Sequence, residues 1–468
     1  MPGTTFAAPR RLLDRLVPRG ALLLSVLTFG SYLMGLVRDR ILTRTFGAGV
    51  DLDTFNAAFV IPELTFGVIV ASGLAAPFIP IFTGLKRDEG EAAAHRFGQT
   101  ILTMALLAMG LVSVVLFLVA PLTVEIVAPG FGPEQRELYV GLFRVMCITQ
   151  VLFAGSMALG EVLIAERRFF FYGAAPLLYN LGLVAGTVLF ADRVGIYAPA
   201  IGAVLGASLH AGLRLVGVRF RTTFRPRPRL AVRSTGIREF FRLMLPKTAS
   251  SPIEPITFLF FTSVASGLAA GSITTVNLAR NFQSVPVSLI GVAFSLAAFP
   301  TLAAAYAAHD KRGLIRLIRT NLMTIGLLTS AAAIGLVMVG PLAIDLLLGG
   351  GRFDADDVAR TALVLSVFAI SVPFESLGHL LSRAIYATHH TLLQVAASLV
   401  GFAVTILATA LLSGDLGVVA IPLGFSLGSA VRCGLLALVL VTRLRQMPST
   451  DGVDVRPPAP PSGSSEPG

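Results

Sequence analysis

Long apolar runs, separated by short polar connections, make up most of this 468-residue chain. A helix needs about 20 consecutive apolar residues to cross a bilayer, and runs of this kind recur from residue 21 to residue 443. The pattern predicts an all-α polytopic membrane protein with about twelve transmembrane helices. The predicted spans are 21–45, 55–83, 97–120, 137–164, 173–191, 195–218, 239–267, 272–305, 313–340, 358–387, 391–412 and 416–443.

The charged residues between these spans fall on two sides of the predicted membrane. Arginine and lysine dominate both ends of the spanning region and every second connection, whereas aspartate and glutamate dominate the other connections. Because cytoplasmic connections are enriched in lysine and arginine, we predict that both termini are cytoplasmic. A single missed helix would disrupt this alternation, so the alternation also supports the predicted number of spans.

The composition agrees with a membrane protein and argues against a large soluble core. Hydrophobic residues make up 54% of the chain and charged residues 13%, with a mean hydropathy of +0.80. The net charge of +11 is better explained by basic cytoplasmic connections than by nucleic-acid binding. Cys147 and Cys433 both lie in apolar runs, so they indicate neither a disulfide nor a metal site.

The sequence lacks the motifs of ATP hydrolysis and metal-dependent hydrolysis. Neither GxxxxGK[ST] nor HExxH occurs. GFSLG at 424–428 matches a serine-hydrolase pattern, but it lies in an apolar run where glycines four residues apart favour helix packing. We therefore expect a membrane transporter rather than an enzyme, with no cofactor, no metal site and no nucleic-acid partner.

Three segments of the first half recur in the second half at a nearly constant offset of about 220 residues. LAAPFIP resembles LAAFP, and two further pairs follow in the same order. Each half holds six predicted spans, an even number, so the pattern predicts two parallel six-helix lobes around a central cavity. The paired segments are 74–80 with 296–300, 128–137 with 349–360, and 159–170 with 377–388.

These observations predict five regions. The 219–247 segment alternates arginine with proline and phenylalanine, which favours a position against anionic lipid headgroups. The C-terminal end is rich in proline, glycine and serine and is predicted to be disordered. The regions are a basic cytoplasmic N-terminus at 1–20, an N-terminal lobe at 21–218, a cytoplasmic linker at 219–238, a C-terminal lobe at 239–445 and a disordered tail at 446–468.

Several polar residues lie in or beside the apolar runs, where they are costly unless they face an aqueous cavity or a partner. Arginine can hold two phosphate oxygens at once, so Arg38 and Arg280 are candidate ligands for an anionic group. Either arginine could instead form a structural ion pair. The candidate cavity and substrate-binding residues are Arg38, Asp39, Asp53, Glu63, Arg280 and Asn281.

Two further patterns concern the spans themselves. Glu375, His379 and Arg383 are spaced i, i+4, i+8, so they share a helix face and could form a structural ladder of ion pairs. Prolines interrupt the second and eighth spans, and interruptions at corresponding places of two halves favour flexing elements for alternating access. The candidate hinge residues are Pro62, Pro80, Pro286 and Pro300.

A series of short motifs resembles the MurJ/MviN family of lipid II flippases, within the multidrug/oligosaccharidyl-lipid/polysaccharide exporter superfamily. Each motif is short, but together and in this order they are fairly specific to the family. They are GLVRD at 35–39, FGAG with the following D-x-F at 46–55, APGF at 128–131, ERRFF at 166–170, GRFD at 351–354 and SRAIYAT at 382–388.

The resemblance implies that the protein exports lipid II, the undecaprenyl-diphosphate-linked peptidoglycan precursor, from the inner to the outer leaflet of the bacterial cytoplasmic membrane. It also implies that Arg38 and Asp53 match a functional arginine and a functional aspartate of the family. The chain departs from the family where arginines are frequent. These positions hold Tyr32, Phe66, Gly67 and Asn281, with Arg280 one position earlier.

Three alternative functions remain open on the residues alone. A flippase for another undecaprenyl-diphosphate-linked glycan, such as an O-antigen or capsule unit, is the first alternative. A cation-coupled drug exporter and a non-transporting scaffold for cell-wall synthesis are the others. For the transporter we expect a monomer in the lipid bilayer, driven by a coupling ion or by the membrane potential.

Overall fold

Helices account for almost all of the described chain in the computed structural model, which describes residues 19–249, 253–388 and 391–447. The predicted N-terminal region and tail fall largely outside these residues. The first half contains α1 (Arg19–Phe46), α2 (Val50–Phe66), π1 (Gly67–Ala71), α3 (Ser72–Asp88), α4 (Glu91–Val127), α5 (Pro133–Ala165), α6 (Phe169–Gly173), α7 (Ala175–Val194) and α8 (Tyr197–Arg221). Then follow α9 (Thr235–Ala249), α10 (Ile253–Ser266), α11 (Ser272–Pro286), π2 (Val287–Val292), α12 (Ala293–Ala307), α13 (Lys311–Leu348), α14 (Ala355–Ala369), α15 (Ser371–Ala387), α16 (Thr391–Leu416) and α17 (Ala420–Gln446).

Ten segments of the described chain are long and apolar enough to cross a membrane. The last of these, Leu392–Gln446, contains both α16 and α17, which the short turn Gly417–Val419 separates. The seventh predicted span is divided into α9 and the short apolar helix α10, on either side of residues 250–252. The all-α membrane fold that the hydropathy pattern predicts is therefore confirmed.

The connections lie at two opposite ends of the helices. At one end, which we call the closed face, are the connections 47–49, 128–132, 267–271 and 349–354, and hydrogen bonds join the two halves there. Gly130 N donates to Ser266 Oγ at 3.2 Å, and Arg352 N donates to the carbonyl of Arg44 at 2.9 Å. At the other end, the linker face, the 222–234 segment follows α8 and contacts the first half, with Gln99 donating to the carbonyl of Arg225 at 2.8 Å.

The helix α9 packs on the N-terminal helices, although the predicted C-terminal lobe starts at residue 239. Ile237 and Phe240 are buried in one apolar cluster with Phe78 and Phe97 of α3 and α4. Apolar residues three and four positions apart place one side of α9 against this cluster. The segment that joins the halves is thus held against the first half as far as Met244 of α9.

Structural irregularities recur in the two halves at the offset of the sequence repeat. The π-helical segments begin at Gly67 and Val287, 220 positions apart, and Pro80 and Pro300 have the same separation. A residue inserted into the helical hydrogen-bond ladder in this way bends the helix. Both halves therefore contain the same interruption in their second membrane-crossing pass.

The last two helices of each half are packed closely through small residues. A Cβ atom added to Gly182 or Gly186 of α7 would collide with Gly206 or Gly202 of α8, respectively. In the second half, Gly401 of α16 lies against Gly428 of α17 in the same way. Small residues four positions apart allow two helix backbones to approach closely inside a membrane. This seam gives each half a rigid helix pair.

Candidate functional site

A cavity of about 970 Å³ lies between the two halves of the molecule. Helices α1, α2, α5 and α7 of the first half and α10 and α11 of the second half line it. Its wall is mixed, with Phe55, Phe59 and Phe258 beside the polar residues. Five of the six predicted cavity residues line it, namely Arg38, Asp39, Glu63, Arg280 and Asn281.

Arg38 is fixed in the cavity wall by two neighbouring polar side chains. Its Nε and Nη2 atoms donate to Asp39 Oδ1 at 2.9 and 2.7 Å, and its Nη1 donates to Asn180 Oδ1 at 3.1 Å. A guanidinium group has five N–H donors, so two remain for another partner. The side chain keeps 28% of its surface accessible. Arg38 is therefore oriented by the protein and still able to contact a ligand.

The charges on the cavity wall balance. Arg38 and Arg280 are offset by Asp39 and Glu63, which also line the cavity. Two positions where the family often has arginine, Phe66 and Gly67, line the same cavity without any charge. Tyr32 does not line the cavity, and 70% of its surface is exposed. The cavity of this chain is thus less cationic than the family pattern predicts.

Arg280 is held by an ion pair with a helix of the same half. Its Nη1 and Nη2 atoms donate to the two carboxylate oxygens of Glu375 at 2.9 Å each, and Nη1 also contacts the amide oxygen of Gln283. The guanidinium carbon lies 4.7 Å from the ring centre of Phe425. Only 6% of Arg280 is exposed. The structural ion pair, one of the two interpretations from sequence, is therefore formed by Arg280.

The residue that follows Arg280 is accessible rather than buried. Asn281 is exposed and lines the cavity, one helix position away from the buried arginine. One residue corresponds to about 100° of helix rotation. Consequently the amide of Asn281, rather than the guanidinium of Arg280, is the more accessible group at this level of α11.

Asp53 was predicted as a cavity residue, but the structure places it outside the cavity wall, at the closed face. It is 3% exposed, and its carboxylate contacts the first turn of α11. Asp53 Oδ2 accepts from Gly271 N at 2.8 Å, while Oδ1 accepts from Thr274 N and Thr274 Oγ1 at 2.7 Å each. A helix N-terminus presents unpaired N–H groups and a partial positive charge, which favour a carboxylate. Asp53 therefore joins the two halves.

The predicted hinge prolines lie along the interrupted helices. Pro62 is buried in α2, five residues before π1, and Pro286 is the last residue of α11, directly before π2. Pro80 and Pro300 lie inside α3 and α12 and are exposed. Proline cannot donate a backbone hydrogen bond, so each of these positions weakens the helical ladder locally.

Sequence reasoning identified polar residues of the site but not the contacts that Asn180, Gly271 and Thr274 make there. Asn180 was a polar residue within a span, but its contact with Arg38, 142 positions away, depends on the packing of α7 against α1. Gly271 and Thr274 gave one usable signal, because a glycine followed by serine and threonine is typical of a helix start. Gly271 has φ +87°, which glycine adopts without strain.

Comparison with known proteins identifies the family. The sequence model of the lipid II flippase MurJ family matches residues 42–454. The chain belongs to the MurJ family of lipid II flippases. A probable MurJ of Thermotoga maritima is 30% identical over 431 residues, covering 91% of this chain and 84% of the relative. The MurJ of Burkholderia cenocepacia is 26% identical, covering 92% and 85%.

Solved structures agree with the fold of a MurJ family member. A lipid II flippase MurJ in an inward closed conformation superposes with a TM-score of 0.75 at 18% identity, covering 91% of this chain and 90% of the other. An inward-facing multidrug transporter of the MATE family also gives 0.75, at 14% identity with 89% and 95% covered. An outward-facing MATE transporter gives 0.61, at 13% identity with 92% and 96% covered.

The family and the apolar segments together define the class of this protein. Members of the MurJ family are transporters rather than enzymes. Since ten segments of the described residues are able to cross a membrane, the chain is a multi-pass protein of the bacterial inner membrane.

Proposed function

We propose that this protein moves lipid II across the bacterial inner membrane by alternating access. The substrate enters the central cavity from the linker face, and the closed face then opens to release it into the opposite leaflet. The basic connections 84–96, 167–168 and 219–247 belong to the linker face, which supports a cytoplasmic linker face and cytoplasmic termini. The same orientation makes the leaflet at the closed face the outer leaflet.

The observation that carries the proposal is that hydrogen bonds orient Arg38 in the cavity wall and leave two of its donors available. Three of its five N–H donors hold Asp39 and Asn180, so the remaining two are presented to the cavity in a fixed direction. A preoriented guanidinium can form a strong, charge-assisted pair with a diphosphate. In this proposal Arg38 is the main diphosphate ligand and Asn281 is a polar contact from the other half.

The other predicted residues have supporting roles in this proposal. Asp39 orients Arg38, and Glu63 supplies a negative charge that helps to release the diphosphate. Arg280, neutralised by Glu375, fixes the position of α11 rather than gripping the substrate. Asp53 keeps the closed face shut until the halves rock about the interrupted helices.

The energy source follows from what the sequence lacks. Without a P-loop, the protein depends on a coupling ion or on the membrane potential. Moving one elementary charge through 100 mV contributes about 2.3 kcal/mol, which is enough to bias one step of a transport cycle. The proposal requires only one copy of the chain, because both halves of the cavity come from the same molecule.

A cell-based flipping assay tests the proposal. Cells depleted of their own flippase would express the wild type, Arg38→Ala or Arg87→Ala at matched membrane levels, and lipid II exposed on the outer surface would be measured. Arg87 is a suitable control because it is exposed and, among the described residues, pairs only with Asp88 near the end of α3. We expect exposure to be restored by the wild type and by Arg87→Ala but not by Arg38→Ala.

One observation favours a second candidate, a cation-coupled drug exporter. Arg280 is paired with Glu375, and Arg38 faces the carboxylates of Asp39 and Glu63 on the cavity wall, so the cavity is not strongly selective for anions. If a wild-type protein in the membrane restores no lipid II exposure but lowers the accumulation of cationic drugs, this candidate replaces the first.

A further inference from the structure

A second concave site lies on the outside of the first half, away from the central cavity. This groove, between α4 and α5 near the closed face, has a volume of about 540 Å³. We call it the α4–α5 groove. Beside it, α4 exposes a stripe of large apolar side chains at helical spacing, as a surface facing lipid tails does, formed by Leu107, Leu111, Leu118 and Leu122. The groove is lined by Pro121, Glu125, Glu137, Gly141, Arg144 and Tyr197, among others.

Arg144 enters the groove because Pro121 interrupts the hydrogen bonds of α4. Proline has no N–H group, so the carbonyl of Phe117, four residues earlier, loses its helical donor. Arg144 Nε donates to that carbonyl at 3.3 Å, and the guanidinium carbon lies 5.0 Å from the centre of the Phe117 ring. The two Nη atoms of Arg144 make no hydrogen bond or ion pair with the described residues. They are oriented by Phe117 and remain available.

The depth of Arg144 matters because no described residue forms an ion pair with it. Arg144 lies eleven residues after Pro133, the start of α5, which corresponds to about 16 Å along the helix. The 33 residues of α5 span about 50 Å, against about 30 Å of hydrocarbon, so its end extends roughly 10 Å beyond the hydrocarbon. Arg144 is therefore just inside the hydrocarbon boundary, where an arginine is costly without an anion. Side chains tilt toward the helix N-terminus, here the closed face.

The other charged groups of the groove differ in whether they are paired. Arg136 contacts Glu125 and donates to the carbonyl of Phe131 at 2.7 Å, so these two charges neutralise each other. Glu137 has no ion pair or hydrogen bond through its carboxylate within the described residues. Glu137 precedes Arg144 by seven positions and is therefore closer to the aqueous end of α5.

A phenol group completes the polar lining. Tyr197 is the first residue of α8, and its hydroxyl lies against Gly141, where a Cβ atom would collide with it. The absence of a side chain at Gly141 leaves room for this hydroxyl in the groove. The groove thus offers a guanidinium and a phenol at one depth and a carboxylate nearer to water.

We propose that the α4–α5 groove binds the headgroup of an aminophospholipid of the phosphatidylethanolamine type. The phosphate is held by the Nη groups of Arg144 and the hydroxyl of Tyr197. The ammonium group, which lies farther from the hydrocarbon than the phosphate, pairs with Glu137. The acyl chains lie along the apolar stripe of α4. The order of charges along α5 matches the order of charges in this headgroup, whereas an anionic headgroup would leave Glu137 unpaired.

Lipid binding to the purified full-length protein tests this site. Native mass spectrometry would measure retention of phosphatidylethanolamine, of phosphatidylglycerol and of inorganic phosphate by the wild type and variants. We expect the wild type to retain phosphatidylethanolamine in preference to the other two. Arg144→Gln should reduce that retention by at least about tenfold, because it removes a charge-assisted contact with the phosphate. Glu137→Gln should remove the preference over phosphatidylglycerol.

Two controls make the result specific. Arg219→Gln changes another arginine that lies over a phenylalanine ring, that of Phe220, at the opposite end of the first half, and should leave retention unchanged. If Arg144→Gln does not fold, Tyr197→Phe removes only the hydroxyl and should weaken retention several-fold. If Arg144→Gln or Tyr197→Phe retains phosphatidylethanolamine as well as the wild type does, the proposal is overturned. Equal binding of phosphatidylglycerol, with no effect of Glu137→Gln, overturns the aminophospholipid assignment.

Discussion

Removing the charge of Asp53 should open the closed face. The carboxylate is the acceptor of three hydrogen bonds from the first turn of α11, at 2.7 to 2.8 Å. Asp53→Asn keeps the size of the side chain but turns one oxygen into an NH₂ group. In one orientation of the amide the NH₂ group faces the N–H of Gly271, and in the other it faces the N–H and hydroxyl of Thr274. In either orientation at least one backbone N–H faces another donor and loses its hydrogen bond.

The expected magnitude follows from these contacts. A hydrogen bond to a charged group contributes about 1.5 to 3 kcal/mol, and a neutral one about half as much. Asp53→Asn loses at least one charged bond and halves the other two, which destabilises the closed arrangement by about 3 to 6 kcal/mol. Since every 1.4 kcal/mol is a factor of ten, the ratio of open to closed molecules should rise at least about 100-fold.

Thiol labelling from the closed face measures this change. Asn277 lines the cavity, so Asn277→Cys in a chain with Cys147→Ser and Cys433→Ser reports access to the cavity. A charged thiol reagent would be added to the closed face of oriented vesicles. We expect faster labelling with Asp53→Asn than with wild-type Asp53 in the same background. Remaining contacts between the halves, such as Ala48 N to Asp357 Oδ2 at 3.1 Å, should keep the protein folded.

Asp51→Asn is the matched control for this experiment. Asp51 is on the same helix turn and half-buried, and its side chain makes no hydrogen bond to the second half within the described residues. Its replacement should leave the labelling rate unchanged. If the Asp53→Asn protein is also labelled at the same rate as the protein with wild-type Asp53, the contact with α11 does not limit opening. The role proposed for Asp53 is then wrong.

Three further changes probe the remaining contacts. Glu375→Gln removes a charged partner of the buried Arg280 and should lower the free energy of unfolding by about 3 to 5 kcal/mol, measured by denaturant titration in detergent. Gly186→Leu should destabilise the protein by at least about 1 to 3 kcal/mol in the same titration, because its side chain collides with α8, whereas Gly212→Leu, with open space around its Cβ position, should not. Arg38→Lys keeps the charge but loses the two-pronged geometry, so lipid II exposure should fall less than with Arg38→Ala.

The spans could be predicted because a bilayer imposes one strong rule on sequence, a long apolar run for each crossing. The predicted span 272–305 corresponds closely to α11, π2 and α12, which end at Ala307. The prediction was less accurate at helix ends. The structure extends the predicted 97–120 span to Glu91–Val127, because hydropathy detects the part within hydrocarbon and not the helical turns beyond it.

The site could be predicted only in part, because its contacts join residues that are far apart in sequence. Arg38 was recognisable as a charge within an apolar run. Its partner Asn180 and the pairing of Arg280 with Glu375, 95 positions away, depend on which helix faces meet, and spacing along one helix does not encode that. The predicted ladder of Glu375, His379 and Arg383 missed this pairing for the same reason.

The internal repeat separates the parts of the molecule that move from the parts that recognise a substrate. The interruptions of the helices repeat, with π1 and π2, Pro80 and Pro300 all 220 positions apart. The charges of the site do not repeat, since the position 220 residues after Arg38 is Phe258. Two similar halves that bend at the same level can rock about a common axis. An accessible guanidinium in one half only, that of Arg38, makes the cavity asymmetric. In the proposed cycle, the repeat therefore accounts for the motion, and the difference between the halves accounts for how a diphosphate is oriented within it.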